Sequence, residues 1–310
     1  MAERGNERER RRGPDGSQAR TKDEAMITAE LPGLVVTNAP NQSVPFLLDT
    51  NWFDAAEVVI DADDRPFGEG SFDVDLPQIR PRFPWFTIGL VDPGDGSAVF
   101  TLHDIAMGLV ERVDPFEVTV TDPRGARSAT ARVAGKIEFP IEDENGVAQT
   151  TIPLKAADPK TYGPVVTPAP STGLPQPGTG IAYPITYPID YGIPGDPGQL
   201  VLTNVGTSYA IPDLVISDGG SSGGFDIVAV GSGEHIRFDR FVPVDSVVTI
   251  EQRTGRAYID GPTNDVTRAL TYSDLIAVPP GGSITLQFNV IGVATGTPKL
   301  SAPTFRPAYR

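Results

Sequence analysis

The chain of 310 residues contains no cysteine and only two histidines, His103 and His235. Without cysteine there are no disulfides, thiolate zinc sites, iron–sulfur clusters or cysteine nucleophiles. Two histidines are too few for a histidine-rich metal centre. Basic residues are scarce: 25 Lys and Arg face 40 Asp and Glu, for a net charge of −15. That balance argues against nucleic acid as the main partner, because phosphates need Lys and Arg. Nothing approaches the roughly 20 consecutive apolar residues that cross a bilayer. The opening MAERGNERERRRGPDG lacks the apolar stretch of a secretory signal. These absences predict a soluble protein or part of a soluble assembly.

Glycine and proline are plentiful. The 33 Gly and 31 Pro make up about a fifth of the chain, where roughly 12% is usual. Such a composition favours many turns and short strands over long helices. Hydrophobic residues at 39% and charged residues at 21% are compatible with a buried core. The length suggests two domains, with one large one as the alternative.

Residues 1–25 are polar, with interleaved charges in Glu7-Arg8-Glu9-Arg10-Arg11-Arg12. They bring too little apolar area to offset ordering entropy and read as a flexible tail. From Leu34 the pattern has period two. Phe116, Val118 and Val120 alternate with Glu117, Thr119 and Thr121, and Val133, Ile137 and Phe139 oppose Arg132, Lys136 and Glu138. Turn signals at Asp92-Pro93-Gly94-Asp95-Gly96, Asp122-Pro123-Arg124-Gly125 and Glu144-Asn145-Gly146 separate the runs. One short helix is predicted over 103–112, where Ile105, Leu109 and Arg112 have helical spacing.

Residues 161–186 are rich in proline and glycine and predict a linker without regular structure, following a first β domain over 26–160. From 187 to 310 about eight short alternating strands follow, the cleanest being Ile284, Leu286, Phe288 and Val290 against Thr285, Gln287 and Asn289. Eight strands without a convincing helix suit a jelly-roll β-sandwich. The expected fold is mainly β: an N-terminal barrel-like or sandwich-like domain with one short helix, then a C-terminal sandwich.

No constellation carries chemistry. Asp61, Asp63, Asp64, Glu69, Asp73 and Asp75 begin a calcium-like spacing that Arg65-Pro66-Phe67 interrupts, so they read as a solvated loop. Gly219-Gly220-Ser221-Ser222-Gly223-Gly224 lacks the spacing and helix of a serine nucleophile turn. His103 and His235 read as surface or interface residues, and no glycine cluster has a phosphate-binding context. Trp52 and Trp85 read as packing residues rather than sugar platforms. No catalytic, cofactor-binding or metal residues are therefore assigned.

Several stretches resemble the distal tail or minor tail proteins of long-tailed bacteriophages. The first are Ala131–Phe139 and Thr151–Gly163, the latter ending in the pattern L-x-A-x-D-P-x-x-Y-G from Leu154 to Gly163. Then comes T-N-x-G-x-x-x-A-x-P from Thr203 to Pro212. A G-x-A-x-x-x-G hairpin over Gly255–Gly261 and P-P-G at Pro279–Gly281 complete the set. The resemblance covers roughly 110–300. It implies a C-terminal galectin-like sandwich and a structural virion protein at the tail tip. In such proteins a hexameric ring joins the tail tube protein to the tail hub or tail-associated protein. The tape-measure protein passes through the lumen, and the outer domains hold receptor-binding proteins. An acidic surface suits a channel that DNA must not stick to. The apolar run Leu34-Val35-Val36 fits a ring surface and a core equally well.

Two other function classes remain. A carbohydrate-binding sandwich would recognise host glycans through aromatics among Tyr183, Tyr187, Tyr191, Tyr209, Tyr258 and Tyr272. A glycoside hydrolase would need a carboxylate pair in a cleft.

Overall fold

The computed structural model describes residues 26–41, 43–60, 78–94, 96–142, 147–180, 187 and 192–310. The tail 1–25, the acidic cluster Asp61–Asp75, the turn Glu144-Asn145-Gly146 and Tyr183 and Tyr191 lie outside the described residues.

The first body is built from β1 (Thr28–Leu31), β2 (Leu34–Thr37), β3 (Phe46–Thr50), β4 (Trp85–Val91), α1 (Ser97–Val110), β5 (Phe116–Asp122), β6 (Gly125–Val133) and β7 (Val147–Lys155). The seven strands run β6-β5-β1-β2-β3-β4-β7. The sheet closes on itself where Leu154 and Lys155 of β7 pair with Val133 and Arg132 of β6. Closure removes sheet edges and encloses one face. All contacts are antiparallel except β2 with β3, which meet in parallel at Thr37 and Phe46. Period two does what it predicts in β5: Phe116, Val118 and Val120 are buried, while Glu117 is outside. Ala29, Val36, Phe86, Ile88, Leu90, Ile152 and Leu154 complete the filling.

Two expectations need correction here. The helix begins at Ser97, six residues before the expected start, and Arg112 lies beyond its end. Its buried stripe is Val99, Leu102, Ala106 and Leu109. Gly96, at φ 76°, supplies no side-chain cap. Asp92 does that work from before the helix, accepting from the Ala98 amide at 3.2 Å. Such a cap satisfies an otherwise orphaned first-turn N–H. The alternation from Arg132 to Phe139 is not one strand either. Chain direction changes at Gly135 (φ 122°), after which Ile137 is buried and Phe139 packs on the same core as Val133.

The second body is a sandwich. Its strands are preceded by β8 (Thr161–Tyr162) and β9 (Ser171–Thr172), so the segment 161–186 contains short strands where none were expected. The remaining strands are β10 (Gln199–Thr203), β11 (Leu214–Ser221), β12 (Gly224–Ala229), β13 (His235–Phe238), β14 (Val248–Glu251), β15 (Arg256–Ile259), β16 (Leu270–Ser273), β17 (Ser283–Ile291), β18 (Ala294–Ser301) and β19 (Ala308–Tyr309). One five-stranded sheet is ordered β9-β18-β11-β14-β15 and the other β10-β17-β12-β13-β16. Their facing sides bury Leu202, Leu214, Ile216, Phe225, Phe238, Val248, Leu286, Phe288 and Leu300. The rings of Phe225 and Phe288 lie 5.6 Å apart. Sequence pattern does not reveal β18, because Gly296 and Pro298 interrupt it. Gly296 has φ 82° opposite a register shift between Ser217 and Gly219 of β11.

The buried apolar residues thus form two separate clusters, one within residues 29–156 and one within 200–308. No helix among the described residues is long and apolar enough to cross a membrane.

Candidate functional site where barrel meets sandwich

The end of the chain crosses back to the barrel. Tyr162 of β8 pairs with Ser128 of β6, and Thr161 and Tyr162 pair with Tyr309 and Ala308 of β19. The last strand of the sequence therefore extends the sheet of the first body. Its entry residue Arg306 donates through Nη1 to Glu117 Oε1 at 2.8 Å and to Ser128 Oγ at 3.1 Å. The Arg127 guanidinium lies 4.1 Å from the Tyr309 ring centroid. The hydrogen bond to Ser128, then Arg306, holds the Glu117 carboxyl below the usual glutamate range.

Asp158 ties the other side. Its carboxylate accepts from Tyr162 OH at 2.6 Å, the Lys160 amide at 3.0 Å and Arg253 Nη1 at 3.0 Å. Arg253 follows β14 in the sandwich and also sits 4.6 Å from the Tyr162 ring centroid. Burial first, then the neighbouring carboxylate, raises the Tyr162 phenol well above its ordinary range, so it remains a donor. Lys160 donates Nζ to the Tyr209 carbonyl at 2.7 Å. Burial lowers its ammonium below the ordinary lysine value.

A third knot is centred on Asn204, which is fully buried. Its amide donates to the carbonyls of Ser208 (2.7 Å), Val278 (3.2 Å) and Pro279 (3.3 Å). Its oxygen accepts from the amides of Gly206 (2.9 Å) and Ala308 (3.3 Å). Gly206 is required by close approach: a Cβ there would stand 1.9 Å from the Ala308 carbonyl oxygen. The patterns Leu154–Gly163, Thr203–Pro212 and Pro279–Gly281 are therefore the chemistry of this junction.

A second feature lies on the outside of the barrel. In β2, Leu34 and Val36 point into the core and Val35 points out, 58% exposed. The run read as core or surface serves both. Leu48 is the extra residue of a bulge in β3 against β4 and is 49% exposed. Gly89 makes room for it: a Cβ at 89 would lie 2.9 Å from Leu48 Cδ1 and 3.0 Å from Phe46 Cζ. Val91 and Val147 pair across β4 and β7 and are both exposed. The outer barrel face thus carries Val35, Phe46, Leu48, Val91 and Val147 on neighbouring strands.

The other residues considered from sequence are scattered. His103 lies on α1 with Nδ1 3.2 Å from Asp104 and its ring edge-on to Phe139. His235 packs on Tyr272 in the sandwich. Ser221 Oγ is engaged by the amides of Gly223 and Gly224 and donates to the Ile291 carbonyl at 2.8 Å, a turn staple. Among the described residues no group of three or more His, Asp or Glu is placed to hold a metal ion. Trp52 is buried beside Phe86. Tyr258 is buried, whereas Tyr187, Tyr209 and Tyr272 are exposed.

No family model matches the chain, and no curated protein matches it. Solved structures do. The SPP1 Dit protein, described as a paradigm of the hub adsorption apparatus in phages infecting Gram-positive bacteria, superimposes with a TM-score of 0.61 at 14% identity. The match covers 92% of this chain and 99% of that one. Chains of the phage P2 baseplate in its activated conformation, with Ca or with Sr, each give a TM-score of 0.50 at 10% identity, covering 89% of this chain and 97% of theirs. The whole architecture, barrel and sandwich together, is therefore a fold shared with SPP1 Dit.

Proposed function

We propose that the chain is a structural virion protein at the tail tip of a long-tailed bacteriophage, a distal tail protein. The observation that carries this reading is the end-to-end likeness to SPP1 Dit, which includes both bodies and the order in which they are joined. In this reading the barrels assemble into a hexameric ring between the tail tube and the tail hub, around the tape-measure protein, with the sandwiches outside. A closed ring needs two different complementary surfaces per subunit. The outer barrel face with Val35, Phe46, Leu48, Val91 and Val147 supplies one of them. Several exposed apolar side chains on one closed-barrel face have no role in the subunit's own core. The net charge of −15 suits a channel that repels the DNA it conducts.

Light scattering and negative-stain images of the full chain test this. A hexamer with a central channel is expected, and Leu48→Asp with Val35→Asp should return it to a folded monomer. A wild-type monomer that forms no ring even on its tail tube would overturn the reading.

A further inference from the structure

The barrel and the sandwich are joined covalently by one short piece of chain. Ala156, just past β7, exchanges both main-chain hydrogen bonds with Arg82, whose guanidinium lies on Trp52 of the barrel core. Ala156 is thus fixed to the barrel. Asp158 is fixed to the sandwich side, where its carboxylate accepts from Arg253, the Lys160 amide and Tyr162. Pro159 sets φ directly after it and stiffens the turn into β8. Between these two anchors lies only Ala157, which is exposed. Hinges are of this kind: a few residues at the end of an element that absorb a change in φ and ψ.

The last residues of the chain form a ribbon with the segment that follows the turn. The Gly163 amide donates to the Pro307 carbonyl at 2.9 Å and the Val166 amide to the Phe305 carbonyl at 3.0 Å. Phe305 and Ala308 are buried in the sandwich core, and Tyr162 and Val166 pack against it, so the ribbon is part of the sandwich. Its contacts with the barrel are of another kind. Arg306 donates to Glu117 and Ser128, Arg127 stacks on Tyr309, and Tyr162 pairs with Ser128. The Arg306 and Glu117 side chains are 34% and 50% exposed. A cleft of about 190 Å³ remains among Glu117, Ser128, Tyr162, Gly163 and Arg306, so the contact is not packed like an interior. Among the described residues no hydrophobic cluster spans the two bodies. Polar contacts of this sort between domains permit rigid-body motion, which a large apolar interface would suppress.

We propose that Glu117, Arg127, Ser128, Arg306 and Tyr309 form a latch whose release lets the sandwich swing as a rigid body about Ala157. Neither body unfolds in the released state. Each keeps its own core, and the Asn204 knot that seats β19 lies within the sandwich. The latch is ionic and half exposed, so salt weakens it. The lever is long. β17 has nine residues and spans about 30 Å, so a rotation of about 15° carries the far end of such a strand about 8 Å. The device belongs to one chain and does not depend on a ring. In a tail-tip ring it would let the sandwiches change position while the barrels stay in place.

The absence of cysteine makes the test direct, because Thr101→Cys on α1 and Val293→Cys in the sandwich place two spin labels and no others. Both positions are exposed, and Val293 follows the end of β17 that lies away from Asn204. The full chain, doubly labelled and diluted into excess unlabelled chain, reports the distance within one subunit by double electron–electron resonance, whether or not rings form. One narrow distance is expected at about 0.1 M salt. Arg306→Ala with Arg127→Ala should broaden or shift it by about 8 Å. For the chain with its latch intact, about 1 M salt, where the Debye length falls to about 3 Å, should act in the same direction. Arg306→Glu with Glu117→Arg should restore the narrow distance, which a packing role alone would not allow. Arg237→Ala breaks an ion pair inside the sandwich and should change nothing. A broad distribution with the latch intact at low salt overturns the proposal, as does a distance that the latch variants and salt leave unchanged. A double variant that does not fold also overturns it, because the contacts then belong to the fold itself. Ring assembly is scored separately by light scattering, so failure here and failure of the tail-tip reading are distinguishable.

Discussion

Asn204→Ala is the sharpest test of how the junction is held. The wild-type amide is fully buried and makes five hydrogen bonds to main-chain groups. Two of its partners have alternatives: the Val278 carbonyl also accepts from Ala210, and the Pro279 carbonyl from Gly282. The Ser208 carbonyl and the Gly206 and Ala308 amides lose the bond that the side chain supplies. Each buried group left unpaired costs about 1–3 kcal/mol. The expected loss is about 4 kcal/mol, a large part of the roughly 5–15 kcal/mol available to a domain. At an m-value of about 2 kcal/mol/M in urea, the midpoint falls by about 2 M. Both tryptophans, Trp52 and Trp85, lie in the barrel and none in the sandwich. Far-UV circular dichroism therefore reports on both bodies, while tryptophan fluorescence reports on the barrel. The early loss should be visible in circular dichroism and smaller in fluorescence. Asn204→Asp keeps the acceptor but removes the donors to three carbonyls, so at neutral pH it should be at least as destabilising. A midpoint shift below about 0.5 M for Asn204→Ala would refute the claim that this amide satisfies otherwise unpaired groups.

Three further outcomes follow from the same contacts. Gly206→Ala places a methyl group against the Ala308 carbonyl, and main chain cannot step aside as a flexible side chain would; the last strand should detach from its seat, read as faster proteolysis after Phe305 and a larger radius of gyration in solution scattering. Trp52→Ala removes a buried ring 5.9 Å from Phe86, with Arg82 stacked 5.3 Å away, and should cost the barrel about 3–5 kcal/mol in chemical denaturation. Glu117 is held more acidic than usual by Ser128 and Arg306. Its folded value is the lower one, so its contribution is present above the ordinary glutamate range and fades as pH falls through the folded value. Glu117→Gln should flatten that acid limb of the thermal stability profile, and an unchanged slope would remove Glu117 from the junction's pH response.

Strand alternation made the β class and the separate cores legible, because one buried face per strand leaves a period-two trace in residues such as Phe116, Val118 and Val120. Partners across a sheet leave no such trace. β18 was hidden by Gly296 and Pro298, although it pairs with two strands. The helix start was hidden because Asp92 caps it from outside the periodic segment. Prolines and glycines in 161–186 suggest a semi-extended, partly stiff linker without regular structure, yet Tyr162 and Thr172 pair on either side of the junction. Turn residues proved more informative than their composition suggests. Asp158, Gly163, Asn204, Gly206 and Pro279 are far apart in sequence and meet where the last strand crosses to the barrel. The run Leu34-Val35-Val36 adds a different lesson. A strand that buries one face needs apolar residues only at alternate positions. Three in succession provide apolar surface for both faces, the core for Leu34 and Val36 and the outside of the barrel for Val35. If the proposed ring uses this face, broken alternation on a closed barrel marks it in the sequence, and Val35→Asp, which leaves the buried Leu34 and Val36 in place, should weaken assembly in light scattering without lowering the barrel's unfolding midpoint.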